Sequence, residues 1–275
     1  MTSWLDTCRL CVSDIQAVLE RLPTRHEREP VLRMGEGGDE TTAIDQAAED
    51  AAVARLEARG GDFVLVSEEL GERVFGAGGE RRVVVDPIDG SVNAKRGIPF
   101  FSFSLAVAEG PTMGDVTFGY VYDFGTGEEW TAERGGGAFV NGRPIGEVRP
   151  KERIEILSFE GTTTPIIADR LDHVLGLADR VRVMGSLALS LCHLADGRVD
   201  AVCSLKPARS VDIAAAQLLV RECGLAIDLF EDPPFEAAPL DLEMRSRLVA
   251  AGTPALAGEL ASALANGVEP VESDR

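Results

Sequence analysis

The stretch Val83-Val84-Val85-Asp86-Pro87-Ile88-Asp89-Gly90-Ser91 decides the reading of this chain. Three apolar β-branched residues in a row describe a buried strand, and that strand runs out into two carboxylates. Pro87 removes a ladder donor, so a turn is expected directly after Asp86. Asp89 then returns to the side of Asp86, with the Ile88 carbonyl between them. Gly90 and Ser91 open the next segment with backbone N–H groups exposed, a seat for a phosphate oxygen. Oxygen ligands gathered at the end of an element suit Mg2+, a hard ion that takes one or two carboxylates together with water and substrate phosphate. Asp-Pro-x-Asp-Gly is by itself also a good turn sequence, so the metal reading needs support from elsewhere in the chain.

Upstream, Phe63-Val64-Leu65-Val66 reads as a second buried strand, and it too ends in acid, at Ser67-Glu68-Glu69. Residues near 4–22 carry Leu5, Cys8, Val12, Ile15 and Leu19 at helical spacing. A charged stretch then leads to Met34-Gly35-Glu36-Gly37-Gly38-Asp39, too rich in glycine and charge for regular structure. A helix is expected from about Thr42 to Arg59, ended by Gly60-Gly61. Thr42-Ala43-Ile44-Asp45 has the form of a capping box, which accounts for Asp45 without catalysis.

Downstream, Ser102–Val107 and Val116–Val121 read as strands, and Asn141-Gly142 as a hairpin turn. The composition turns polar around Arg149-Pro150-Lys151-Glu152, which divides the chain into halves, 1–150 and 151–275. The second half opens on a strand near Ile154–Phe159 and alternates helices with strands. Its clearest helix runs from about Asp212 to Glu222, with Gly224 placed to stop it. Asp212 alone is explained as a residue favoured at a helix N-terminus. Val268 to Arg275 form a polar tail.

The 275 residues suit one large domain or two tightly packed halves. No apolar run approaches the ~18 residues of a membrane helix, and the first residues lack a basic-then-apolar signal pattern. A cytoplasmic protein is expected. The net charge of -19 argues against general nucleic-acid or anionic-membrane binding, since both need a basic face. The only lysines are Lys95, Lys151 and Lys206. An acidic, lysine-poor surface fits a halophilic source, where salt screens the repulsion; a GC-rich genome explains it as well. Five cysteines form no even framework, and Cys8 and Cys11 fall on one amphipathic helix, as packing residues would. The three histidines show no ligand spacing.

The order of these segments is informative: strand then Glu-Glu, strand then Asp-Pro-Ile-Asp-Gly-Ser, and far downstream Ser210-Val211-Asp212-Ile213-Ala214-Ala215-Ala216. It resembles the inositol monophosphatase family of lithium-sensitive phosphatases, over nearly the whole chain. Asn93–Phe100 and Gly135–Gly142 are most similar to the archaeal branch. The resemblance implies an α/β fold: a layered αβαβα sandwich with an antiparallel-sheet N-terminal half and an α/β C-terminal half. It implies two or three Mg2+ ions, the first on Glu68, Asp86 and the Ile88 carbonyl, the second on Asp86, Asp89 and Asp212. Gly90 and Ser91 would hold the phosphate, and Ser91 would pair with Asp45 to orient or deprotonate the attacking water. Asp39 would either support a third metal or turn its loop. Gly185 and Ser186 continue the match toward the substrate, and a homodimer is the common assembly.

Family members dedicated to inositol phosphate carry a Glu shortly before the last Asp. Here Cys203–Arg209 contains no carboxylate but offers Lys206 and Arg209. Cations there suit a second phosphate, so a phosphomonoesterase acting on inositol monophosphate and fructose 1,6-bisphosphate is expected; both residues also fit a role in offsetting local acid. The alternatives are a phosphatase for 3′-phosphoadenosine 5′-phosphate or NADP, and a silent binding module. The silent module requires loss of a metal carboxylate or of the Ser91 hydroxyl, and all are present.

Overall fold

A computed structural model describes residues 2–146, 151, 153–160 and 163–265. Of the polar division, Arg149, Pro150 and Glu152 lie outside the described residues, as does the tail Val268–Arg275.

The first half runs α1 (Trp4–Arg21), α2 (Arg25–Arg28), β1 (Val31–Met34), β2 (Glu40–Thr42), α3 (Ala43–Arg59), β3 (Phe63–Ser67), β4 (Gly71–Phe75) and β5 (Arg82–Asp89). It continues through α4 (Ser91–Arg96), β6 (Ser102–Ala108), β7 (Val116–Asp123), β8 (Glu129–Glu133), β9 (Gly137–Val140) and β10 (Arg143–Pro144). The second half runs β11 (Ile154–Glu160), α5 (Thr164–Arg170), β12 (Ala178–Arg182), α6 (Leu187–Ala195) and β13 (Ala201–Ala208). It ends with α7 (Ser210–Glu222), β14 (Ala226–Leu229), β15 (Ser246–Ala251) and α8 (Pro254–Ala265).

Among the described residues, one sheet has the order β10-β9-β8-β7-β6-β5-β3-β4 and another the order β12-β11-β13-β15-β14. Both are mixed. In the first, β3 and β5 lie parallel, which departs from the antiparallel sheet expected there; in the second, β11 is parallel to β12 and β13. The parallel pair brings the acidic ends of β3 and β5 to the same edge.

Alternation along the strands explains the layering. Leu65, Val83, Val85 and Leu105 pack with Cys8, Cys11 and Ile15 of α1 and Ile44 and Leu56 of α3. Their neighbours Val66, Val84 and Ala106 face the other way, onto α6 and α7. Those helices are covered on their far side by Val202, Leu248 and Ala250 of the second sheet. The outer face of that sheet, with Leu157, Phe159 and Val249, packs against α8 through Ala257, Leu260 and Leu264. The result is the expected five-layer sandwich, with Cys8 and Cys11 as buried free thiols in its outer core.

The middle helix layer sits close to the first sheet because its residues are small. A Cβ on Gly119 of β7 would lie 2.5 Å from the Ala215 backbone carbonyl oxygen of α7. Backbone cannot swing aside as a side-chain tip can. Gly119→Ala is therefore expected to destabilise the fold by about 1–3 kcal/mol, read as a lower denaturant midpoint. An unchanged midpoint would show that α7 shifts freely over the sheet.

Candidate active site

The strand β5 does not end at Asp86. It continues to Asp89, and its pairing with β6 slips between Asp86, opposite Ser104, and Asp89, opposite Ser102. Three residue steps on β5 match two on β6, which is a β-bulge. The turn expected directly after Asp86 is thus a bulge, one of the few places where a strand accepts proline. In a regular strand, carboxylates three apart face opposite sides of the sheet. The extra residue corrects the phase, and both Asp86 and Asp89 line one cavity of about 760 Å³.

Glu68 follows the end of β3, and Asp212 lies in the first turn of α7. Oxygens of Glu68, Asp86 and Asp212 all lie within 4.8 Å of one another. Asp89 is held from a different direction. Its Oδ2 accepts hydrogen bonds from the Ser186 hydroxyl, from Ala188 N at 2.9 Å and from Ser102 Oγ at 3.4 Å. Ser186, read from the sequence as a substrate contact, here caps α6 and anchors Asp89.

Burial drives the titration of these groups. It raises the Asp89 carboxyl to about 7, opposed by the Ser186 hydrogen bond and assisted by Asp212. It raises Glu68 to about 8, with Arg209 opposing and Asp212 and Glu69 adding repulsion. Asp86 is pushed well up by burial, then by Glu68, Asp89 and Asp212.

Asp45 makes the capping box and still leaves one oxygen unused. Its Oδ2 accepts from Thr42 N at 3.1 Å and Thr42 Oγ1 at 2.5 Å, which makes the capping box. Its Oδ1 is buried without a hydrogen-bond partner, and Asp45 lines the cavity. Ser91 also lines the cavity, but its hydroxyl donates to the Ile88 carbonyl at 3.0 Å, so the expected pairing with Asp45 is not made. Gly90 sits at φ +92°, and a Cβ there would lie 3.0 Å from the Gly185 carbonyl oxygen. Only glycine lets the two loops approach this closely.

The two basic residues separate. Lys206 is half-exposed at the cavity rim, 3.8 Å from Asp39. Arg209 is buried, and its guanidinium reaches Glu68 Oε1 at 2.6 Å and Asp39 Oδ2 at 3.2 Å. It lines the cavity while engaged with the carboxylates.

Two further residues were not singled out in the sequence. Glu160, buried at the end of β11, accepts from Ser158 and Ser190 hydroxyls and from the amides of Met184 and Gly185. Asn93 of α4 donates to Phe100 O at 2.7 Å and Met184 O at 2.8 Å. Together they fix the loop that presents Ser186 to Asp89. A carboxylate directly after an apolar strand was the available signal for Glu160; Asn93 lay in the segment Asn93–Phe100 already matched to the archaeal branch, but its bond to Met184, 91 positions on, was not legible.

The donor set fits a hard divalent cation. It is all oxygen, with Asp86 buried and Glu68 and Asp212 partly so, and the same cavity is lined by Asp45, whose Oδ1 is buried without a partner. The model of the inositol monophosphatase family matches residues 10–269. The chain belongs to this family. A fructose-1,6-bisphosphatase/inositol-1-monophosphatase of Methanothermobacter thermautotrophicus is 33% identical over 90% of the chain and 92% of that protein. Another of the same name from Archaeoglobus fulgidus is 33% identical over 88% of the chain and 91% of that protein. A solved inositol monophosphatase–fructose 1,6-bisphosphatase superposes with a TM-score of 0.83 at 28% identity, covering 96% of this chain and 100% of that one. This inositol monophosphatase family member is accordingly a metal-dependent phosphomonoesterase. Among the described residues, no helix is long and apolar enough to cross a membrane.

Proposed function

We propose that the protein hydrolyses both inositol monophosphate and fructose 1,6-bisphosphate. The observation that carries this reading is the distribution of charge in the cavity: buried carboxylates on its floor, with Lys95 and Lys206 among its lining residues. Two of the three lysines in a chain of net charge -19 thus line one cavity. They suit a substrate carrying a second phosphate, while the lack of a carboxylate in Cys203–Arg209 leaves the inositol hydroxyls without a dedicated acceptor.

Glu68, Asp86, Asp89, Asp212 and the Ile88 carbonyl would hold Mg2+. Bound there, Mg2+ supplies charge neutralisation at the phosphoryl group and lowers the pKa of water. The chain's own groups do the positioning. Asp45 Oδ1 is free to accept a hydrogen bond from the attacking water. Ser91, at the start of α4, orients that water together with Asp45 once its hydroxyl turns from the Ile88 carbonyl. Gly90 and Ser91 seat the phosphate with Gly185 behind them.

The test is phosphate release with Mg2+ in high KCl, a medium suited to so acidic a surface, with and without lithium. Lithium-sensitive release from both inositol 1-phosphate and fructose 1,6-bisphosphate is expected. Lys206→Gln should lower kcat/KM for the bisphosphate by about tenfold while changing the monophosphate less than about threefold. Release from 3′-phosphoadenosine 5′-phosphate alone would overturn the substrate. No release from any would overturn the reading altogether.

A further inference from the structure

We propose that Arg209 is a resident counter-ion of the carboxylate cluster, competing with the divalent cation for Glu68 and Asp212 and thereby setting the metal affinity. This rests on the metal reading above. Glu68 and Asp212 are two of the three residues whose oxygens converge. Arg209 Nη2 lies 2.6 Å from Glu68 Oε1, and its Nε lies 3.7 Å from Asp212 Oδ2. The same Asp212 oxygen accepts from the Arg209 backbone amide at 2.7 Å. A metal ion bound to these oxygens must displace the guanidinium or share them with it.

The pairing is not that of a surface side chain resting on the nearest acid. Arg209 is 7% exposed, so its charge is poorly screened. A guanidinium cannot lose its proton to escape a competing cation. Its position is also built from the opposite side of the cavity. The loop between β1 and β2 supplies Asp39, 3.2 Å from Nη1, and the Gly37 carbonyl, 3.3 Å from Nη1. A Cβ on Gly37 would lie 2.5 Å from Nη1, so the glycine gives the guanidinium room. Arg209 therefore has anchors, Asp39 and Gly37, that survive when Glu68 is surrendered. With Glu68 given over to a cation, the guanidinium would remain on the loop beside it. A positive charge retained near the bound cation weakens binding at every stage of loading.

The experiment is calorimetric titration of Mg2+ into the native protein and into Arg209→Gln. The variant is expected to bind about tenfold more tightly. Equal or weaker binding by the variant would overturn the proposal and favour contact with substrate phosphate instead. Should Arg209→Gln not fold, Arg209→Lys is read in the same way. Its ammonium cannot hold Glu68 and Asp39 in one fork, and a smaller tightening, about threefold, is expected; unchanged affinity again overturns the proposal. An absence of saturable Mg2+ binding in the native protein would instead sink the metal reading on which the proposal stands.

Discussion

Replacing Asp89 with Asn is expected to lower kcat by about three orders of magnitude while the protein stays folded. The geometry makes the two outcomes separable. All three hydrogen bonds to Asp89 fall on Oδ2, from Ser186, Ala188 and Ser102. An asparagine that places its carbonyl oxygen there keeps those bonds, and its amide nitrogen then occupies the other position. The cavity there receives a donor where a cation needs an acceptor. Stability does not suffer, because the change removes one negative charge from a buried like-charged group. Phosphate release, Mg2+ titration and a thermal melt of the same sample check the result. Turnover close to native would take Asp89 out of the metal site; a collapsed melt would show that its charge holds the Ser186 loop.

The second large effect is the stability of chelator-treated protein as a function of pH. Burial raises the Asp89 carboxyl from 3.8 to about 7 and Glu68 from 4.5 to about 8. An acid whose folded pKa lies above its unfolded value keeps its proton in the folded chain after the unfolded chain has released it. Between the two values the native state binds more protons, so stability falls as pH rises. The penalty is absent below about 4 and complete above about 8, and for Asp89 alone it is on the order of 4 kcal/mol. Thermal melts in EDTA should therefore drop steeply from pH 5 to pH 8. Added Mg2+ neutralises the cluster, so its stabilising effect should be greatest at the alkaline end. A flat EDTA profile, or an Mg2+ effect largest at pH 5, would contradict the burial of these carboxylates.

The five layers were legible because local patterns and layers share a cause. Helical spacing from Leu5 to Leu19 marked α1. The apolar runs at Phe63 and Val83 marked two strands buried on both faces. Carboxylates at the ends of those strands were legible for the same reason, since a buried run must break where its polar residues meet the cavity. The phase of the Asp86–Asp89 pair was not. A bulge is a property of two strands in register, and Pro87 alone is equally consistent with a turn. The short hairpin of β1 and β2 was hidden by charge and glycine, with Val31, Leu32 and Met34 exposed rather than patterned toward a core. Arg209 was legible as a cation but not as a partner of Glu68, because 141 positions separate them in the chain (209 − 68) and only the packed layers bring them together.

The placement of Asp212 on α7 carries a consequence for the order of events during folding. Glu68 and Asp86 become neighbours through the pairing of β3 and β5, a local event that the first ninety or so residues complete between themselves. The third carboxylate arrives only when α7 docks between the two sheets, after most of the chain has left the ribosome. The early pair would attract divalent ions only weakly, and tight capture would wait for the long-range contact. Tight metal binding would thus report that the middle helix layer has docked on the first sheet.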